Sequence, residues 1–340
     1  RVAGTTPASR IALKKYLIDK ASSFIETHCQ DSNLIIQGDL FDGFTVDESD
    51  VLEVFTLLNN YLETTTGVLY LVQGNHDWHA RGDKLSSFHL LSGILKERNN
   101  VVIIDRFLTE INRNIFVIPH VANQDIFNIE LENAFVNVGR IARFYNTPTF
   151  LLLHANCNSP FATHSDHSLN VNLEWIHKFR DAGITLIFAH EHTKKEFDGV
   201  VCLGNQFPSS ISDCIGNRNK YAHVISGDEL KSIKTWQRED SFVECDWQDL
   251  ADLDGEYQFI RVVGHAESEQ AEAVINALAT ARRTSTAFII SNAVQIGDMA
   301  EMDGLSEMNA NEIKAFDVLA ALLDELTERE QDVVRKLLEV

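Results

Sequence analysis

Between Pro7 and Cys29 the apolar positions Ile11, Leu13, Tyr16, Leu17, Ala21 and Phe24 recur at helical spacing, with Lys14, Lys15 and Lys20 between them; this predicts an amphipathic helix over 7–29. Asn33–Gln37 is a short apolar run that predicts a strand ending at a Gly38-Asp39 turn. Residues 47–64 return to helical spacing through Val51, Val54, Phe55, Leu58, Tyr61 and Leu62, and a strand over 68–73 then runs into Gly74. A helix is expected at 84–97 and strands at 101–104 and 114–118, the second leading to Pro119-His120. A mostly helical stretch, 126–145, precedes the apolar run Thr149–Leu153, which delivers His154. Residues 155–170 show no periodicity and predict a loop. A helix at 171–181 then leads to the strand Ile184–Phe188 and on to Ala189-His190.

From 195 the pattern changes to short strands with hairpin turns, at Phe197-Asp198-Gly199-Val200 and at 221–226 with 231–236. Strand–helix alternation followed by hairpins predicts an α/β protein, a two-sheet β-sandwich flanked by helices, over residues 1–237. Residues 238–256 are polar and acidic and are expected to be a linker. Residues 257–296 predict a small α/β cap, a β–α–β unit with strand 257–263, helix 268–283 and strand 286–294. A Gly/Met/Asp/Glu-rich linker is expected at 297–310, then a helical hairpin at 311–340. Its first stripe is Ile313, Phe316, Leu319, Leu322 and Leu323, and Thr327-x-x-Glu330 is a capping box that opens the second helix.

Charge changes the picture only in part. A net charge of −21 argues against a broad basic face for DNA. Residues 226–340, however, hold 25 acidic and 10 basic side chains, so the acidity sits mostly in the last third. Nucleic acid is therefore not excluded from the first part. The five cysteines, Cys29, Cys157, Cys202, Cys214 and Cys245, are scattered, odd in number and never in C-x-x-C spacing. That predicts reduced thiols in a cytoplasmic setting, the host cytoplasm if the source is viral. No apolar run approaches the ~20 residues that cross a bilayer, so no membrane partner is expected.

Chemistry-bearing residues follow the strands in series. They are Gly38-Asp39-Leu40-Phe41-Asp42-Gly43, Gly74-Asn75-His76-Asp77, Leu153-His154-Ala155 and Ala189-His190-Glu191-His192. Phosphate esters resist attack by hydroxide because both are anionic, and two divalent ions ~3.5–4 Å apart overcome this by clamping the attacking and leaving oxygens. Such a site needs a carboxylate able to bridge both ions, for which Asp39 is the candidate, plus imidazole and amide ligands. Asn75, His154 and His190 suit one ion, and His192 can serve the other. His76 is then free to be the general acid, with Asp42 placed to hold its imidazole charged and oriented. Asp77 either orients His76 or closes the turn. His79 and His120 lie near these segments as candidates to face substrate.

The G-D-x-x-D, G-N-H-D, strand-borne His and A-H-E-H segments resemble the calcineurin-like metallophosphoesterase superfamily, whose usual G-H-x-H has Ala189 in place of its Gly here. Within it, G-D-L-F-D followed by G-N-H-D, the small β–α–β unit and the terminal helices resemble the nuclease subunits of SbcC–SbcD-type DNA repair complexes. The resemblance implies an exo/endonuclease using two divalent ions, Mn²⁺ or alternatively Mg²⁺. It also implies DNA as substrate, a homodimer, and an SbcC-like coiled-coil ATPase bound through residues 311–340. One departure stands out. The superfamily opens with a D-x-H motif on its first strand, and none precedes Asp39. The expectation is that this segment lies upstream of Arg1 and that one ion site is incomplete without it. A stand-alone phosphatase or phosphodiesterase for small or nucleotide substrates, and a non-catalytic scaffold, stay open.

Overall fold

The computed structural model describes residues 6–297 apart from 79–83, 146, 159–167, 217, 240 and 254–256. The chain divides into two compact units, one of residues 10–240 and one that includes residues 241–297.

In the larger unit, helix α1 (Pro7–His28), strand β1 (Leu34–Gln37), α2 (Glu48–Thr64), β2 (Leu69–Val72), α3 (Ser87–Leu95) and β3 (Val101–Ile104) come first. Then follow β4 (Thr109–Asn112), β5 (Ile115–Ile118), α4 (Gln124–Tyr145), β6 (Thr149–His154), β7 (Asn156–Cys157), β8 (Asn170–Val171), α5 (Leu173–Asp181) and β9 (Ile184–Ala189). β10 (Lys195–Phe197), β11 (Val200–Cys202), α6 (Ile211–Ile215), β12 (Lys220–Ser226) and β13 (Glu229–Trp236) complete it. β1, β2 and β3 form a parallel sheet. A second sheet has the order β10-β11-β9-β6-β5-β4, parallel in its four central strands and antiparallel at both edges. β12 and β13 pair as a hairpin.

Strand alternation shows why this is a sandwich. Leu69 and Leu71 of β2 face a core shared with α2 and α3, whereas Tyr70 and Val72 face the other way. Leu151 and Leu153 of β6 pack with Phe127, Leu131 and Val138 of α4, while Phe150 and Leu152 meet Tyr70, Val72 and Val117 between the sheets. Central strands buried on both faces read as continuous apolar runs, which is how they appear in the sequence. The order is thus helices, sheet, sheet, helices. Each fully buried Leu, Ile or Phe contributes about 1.5–3 kcal/mol.

Ser86 and Asn172 cap α3 and α5, each side chain accepting an N–H three residues on. The edge strand β4 was not visible in the sequence pattern: only Thr109 and Ile111 alternate inward, and the strand is half-exposed. Within the stretch expected as a loop, β7 and β8 pair at its two ends.

In the smaller unit β14 (Phe242–Asp246), β15 (Phe259–Val263) and β17 (Phe288–Asn292) form a parallel sheet, with α7 (Ala271–Thr284) between the last two strands. The short pair β16 (His265–Ala266) and β18 (Gln295–Ile296) adds to it. β14 falls inside the stretch expected to be the linker 238–256, and this is a correction. Phe242 stacks on Phe259, and Cys245, Trp247 and Leu250 lie in the unit's core. Those apolar residues are interleaved with the acids Glu244, Asp246 and Asp249, which masked the strand in a composition-based reading. The linker beyond Gly297 and the helical motif 311–340 lie outside the described residues.

Candidate metal centre

Four strands from both sheets end at one place. Asp39 and Asn75 follow β1 and β2 of the first sheet, and His154 and His190 end or follow β6 and β9 of the second. Their turns are tight. Gly38 has φ +83°, and a Cβ there would lie 2.1 Å from His154 Nδ1. At Gly74 a Cβ would lie 2.2 Å from Asp39 Oδ1. Asp39 (φ +51°) and His190 (φ +87°) both sit in the left-handed region, which costs a non-glycine residue about 1–2 kcal/mol. Hydrogen bonds hold these conformations. Asp77 Oδ2 accepts from Gly74 N at 2.8 Å and Asp39 N at 3.1 Å, stapling one turn to the other. Asp39 Oδ1 accepts from His76 N at 3.1 Å.

The side chains then converge. His154 Nε2 lies 2.9 Å from Asn75 Oδ1 and 3.1 Å from Asp39 Oδ2, and His190 Nδ1 lies 3.0 Å from Asn75 Oδ1. Donor atoms of Asp39, His154 and His190 fall within 4.8 Å of one another. The buried His154 ring also has its Nδ1 2.9 Å from the main-chain oxygen of Gln37, so Nδ1 carries hydrogen. In the neutral tautomer its Nε2 then presents a lone pair to two further acceptors. A cation seated among them satisfies that arrangement, and the residues fit one. Adjacent ligands of an octahedral ion with ~2.1 Å bonds stand ~3 Å apart, the spacing seen here. Carboxylate, amide oxygen and imidazole suit a borderline or hard divalent ion. Burial pushes the pKa of the His154 imidazole down, but the charge and hydrogen bond of Asp39 outweigh it and raise it. Burial likewise opposes charge on Asp39, yet His154 and the His76 N–H hold its carboxylate at about 2.

Residues 15–194, more than half of the chain and all four ligand segments, match the calcineurin-like phosphoesterase model. The chain belongs to the calcineurin-like phosphoesterase family. Comparison with curated proteins finds none that matches. Members of this family are metal-dependent phosphoester hydrolases, and the Asp39, His154 and His190 cluster is where this phosphoesterase would hold its divalent ion.

Around that cluster the phosphoesterase arranges the remaining candidates unequally. His76 is half-buried, outside the ligand set, with Nδ1 3.3 Å from a main-chain oxygen. That oxygen belongs to Asp42, so the contact expected of the Asp42 carboxylate is made by its backbone. Asp42 itself is exposed, at an open groove that Asp47 and Asp50 also line. Asp77 is fully buried and closes the turn, and does not orient the His76 ring. Burial lifts its carboxyl to about 7, against the Gly74 N–H and helped by the charge of Asp39. His120 is completely buried beside Trp78 rather than facing substrate. His192 is exposed and does not join the cluster. His79 lies outside the described residues. Sequence reasoning missed Glu191, whose Oε1 accepts the Cys157 N–H at 3.0 Å and ties the His190 turn to the segment after His154. It also missed Gln37 and Gln73, for which the only signal was a repeated Gln-Gly before each of the first two ligands.

Proposed function

We propose that this phosphoesterase is a Mn²⁺-dependent nuclease subunit that hydrolyses DNA phosphodiesters and works with an SbcC-like coiled-coil ATPase bound through residues 311–340. The observation that carries the reading is the separate folded α/β unit beyond the matched phosphoesterase region, for which a hydrolase of small esters has no use. The ATPase would supply most of the grip on DNA, which reconciles a polyanionic substrate with a net charge of −21.

Asp39, Asn75, His154 and His190 would hold the ion. When bound, it would polarise a phosphoryl oxygen and acidify its water towards neutral pH. His76, with Nδ1–H directed at the Asp42 carbonyl, would offer Nε2 to the leaving oxygen as proton donor. Its backbone bond to Asp39 keeps that donor in step with the ligand turn.

A second reading is a phosphodiesterase acting alone on small or nucleotide substrates, since the family match and the ligand cluster support phosphoester hydrolysis without calling for DNA or a partner. Mn²⁺-dependent loss of linear duplex DNA, abolished by His76→Ala, supports the nuclease. Hydrolysis of bis-p-nitrophenyl phosphate without DNA loss, and without capture of a coiled-coil ATPase through residues 311–340, moves the assignment to the second reading. Inactivity on both substrates refutes the catalytic role and leaves the scaffold.

A further inference from the structure

Two ligands of the centre come from the first sheet and two from the second, so its geometry depends on how one sheet is placed over the other. What lies between them is mainly apolar: Tyr70, Val72, Val117, Phe150, Leu152 and Ile187. Apolar burial is non-directional, so it holds the relative placement of the layers through side-chain shape alone. At the ligand end the contact changes character. Gln37, 8% exposed at the end of β1, donates one amide hydrogen to Leu153 O and one to Ile187 O, both at 3.1 Å. One side chain thus ties a strand of the first sheet to the two central strands of the second. Leu153 immediately precedes His154, and Ile187 is three residues before His190.

Gln73 repeats the device at the end of β2. Its Nε2 donates to His120 O at 2.9 Å and more weakly to Asp105 O at 3.4 Å, while its main-chain oxygen accepts from His120 N at 2.9 Å. His120 lies just beyond β5 of the second sheet, so this bridge also crosses between layers. Each glutamine stands two residues before a ligand and is followed by a glycine: Gln37-Gly38-Asp39 and Gln73-Gly74-Asn75. The glycine lets the chain fold back, and the amide locks the strand end across the sandwich.

We propose that Gln37 and Gln73 are positioning residues of the metal centre, which set the register between the two sheets and so bring Asp39 and Asn75 to bonding distance of His154 and His190. The proposal rests on the reading of the cluster as a metal site. Groups behind the ligands of metal centres are typically worth 10–100-fold in affinity, and that is the effect expected here.

The test is Mn²⁺ binding by titration calorimetry to wild type, Gln37→Met, Gln73→Met and Val138→Ala. Val138 lies in the core on the helix-covered face of the second sheet, away from the sheet–sheet contact, and its truncation lowers Tm without touching the bridges. Gln37→Met is expected to weaken Mn²⁺ binding 10–100-fold while Val138→Ala leaves it within about twofold. Wild-type affinity in Gln37→Met overturns the proposal. So does equal weakening in Gln37→Met and Val138→Ala, since the effect would then be one of stability. Should Gln37→Met not fold, Gln73→Met carries the same comparison. Failure of wild type to bind Mn²⁺ refutes the metal-centre reading itself, a separate result from failure of the positioning role.

Discussion

Two glycines in one short segment, Gly38 and Gly43, should respond very unequally to alanine. At Gly38 the backbone has φ +83°, a conformation that costs an L-residue about 1–2 kcal/mol. The new Cβ would also stand 2.1 Å from His154 Nδ1, and His154 is 1% exposed with little room to retreat. Relieving such an overlap in a packed interior costs a further ~1–3 kcal/mol. The total, about 2–5 kcal/mol, is a large part of the ~5–15 kcal/mol that holds a domain together. Relief by displacing the ring breaks its 2.9 Å contact with Gln37 O and carries Nε2 away from Asp39 and Asn75. Gly38→Ala should therefore lose stability and Mn²⁺ affinity together. At Gly43 a Cβ would meet nothing closer than Thr45 O at 3.9 Å, so Gly43→Ala should shift stability by no more than about 0.5 kcal/mol. Urea unfolding followed by tryptophan fluorescence, with calorimetric Mn²⁺ titration, measures both. Equal midpoints for the two variants, with Mn²⁺ still bound by Gly38→Ala, would refute the steric account of the turn.

Three other outcomes follow from the geometry. His76→Ala should keep Mn²⁺ affinity, since His76 lies outside the ligand cluster, but lower kcat on bis-p-nitrophenyl phosphate by about 10²–10⁴-fold; a parallel loss of Mn²⁺ binding would make His76 a ligand instead. Asp39→Asn should weaken Mn²⁺ at least about tenfold through loss of the ligand charge, read by calorimetry, and unchanged affinity would remove Asp39 from the site. Lys220, 6% exposed, pairs with Asp213 at 2.9 Å, and Lys220→Met should cost about 2–4 kcal/mol at pH 7 by leaving that carboxylate without its cation. Burial opposes the charge on Asp213, but the hydrogen bond and charge of Lys220 prevail and depress its pKa. The pair's contribution is therefore present above the unfolded carboxylate pKa of ~3.9 and is lost as pH falls through the lower folded value, so the gap between wild type and Lys220→Met should close in acid. A gap independent of pH down to about 2 would show that the ion pair is not its source.

How much of this was legible in the sequence follows from the range of the forces involved. Helix and strand periodicity is local: Leu69 to Val72 and Thr149 to His154 had to be buried on both faces, and nothing beyond the run itself was needed to see it. The placement of a carboxylate, an amide and imidazoles just past such runs was equally plain, because strands deliver their last residues to one edge of a sheet. Local reading failed where local signal was mixed. β14 hid among acids, and the edge strand β4 buries only one side.

What the sequence determined by itself, then, is a layered α/β phosphoesterase region with candidate ligands at the ends of four strands. Tertiary structure decided which of them meet. It joined Asp39 and Asn75 to His154 and His190, left His192 exposed, buried His120, and gave His76 the carbonyl of Asp42 instead of its carboxylate. It also made two glutamines into bridges between the sheets. The reason is physical. Convergence at about 3 Å depends on turn conformation and on the placement of one sheet over another, and those are set by contacts between residues up to 150 positions apart, of which a periodic pattern carries no record.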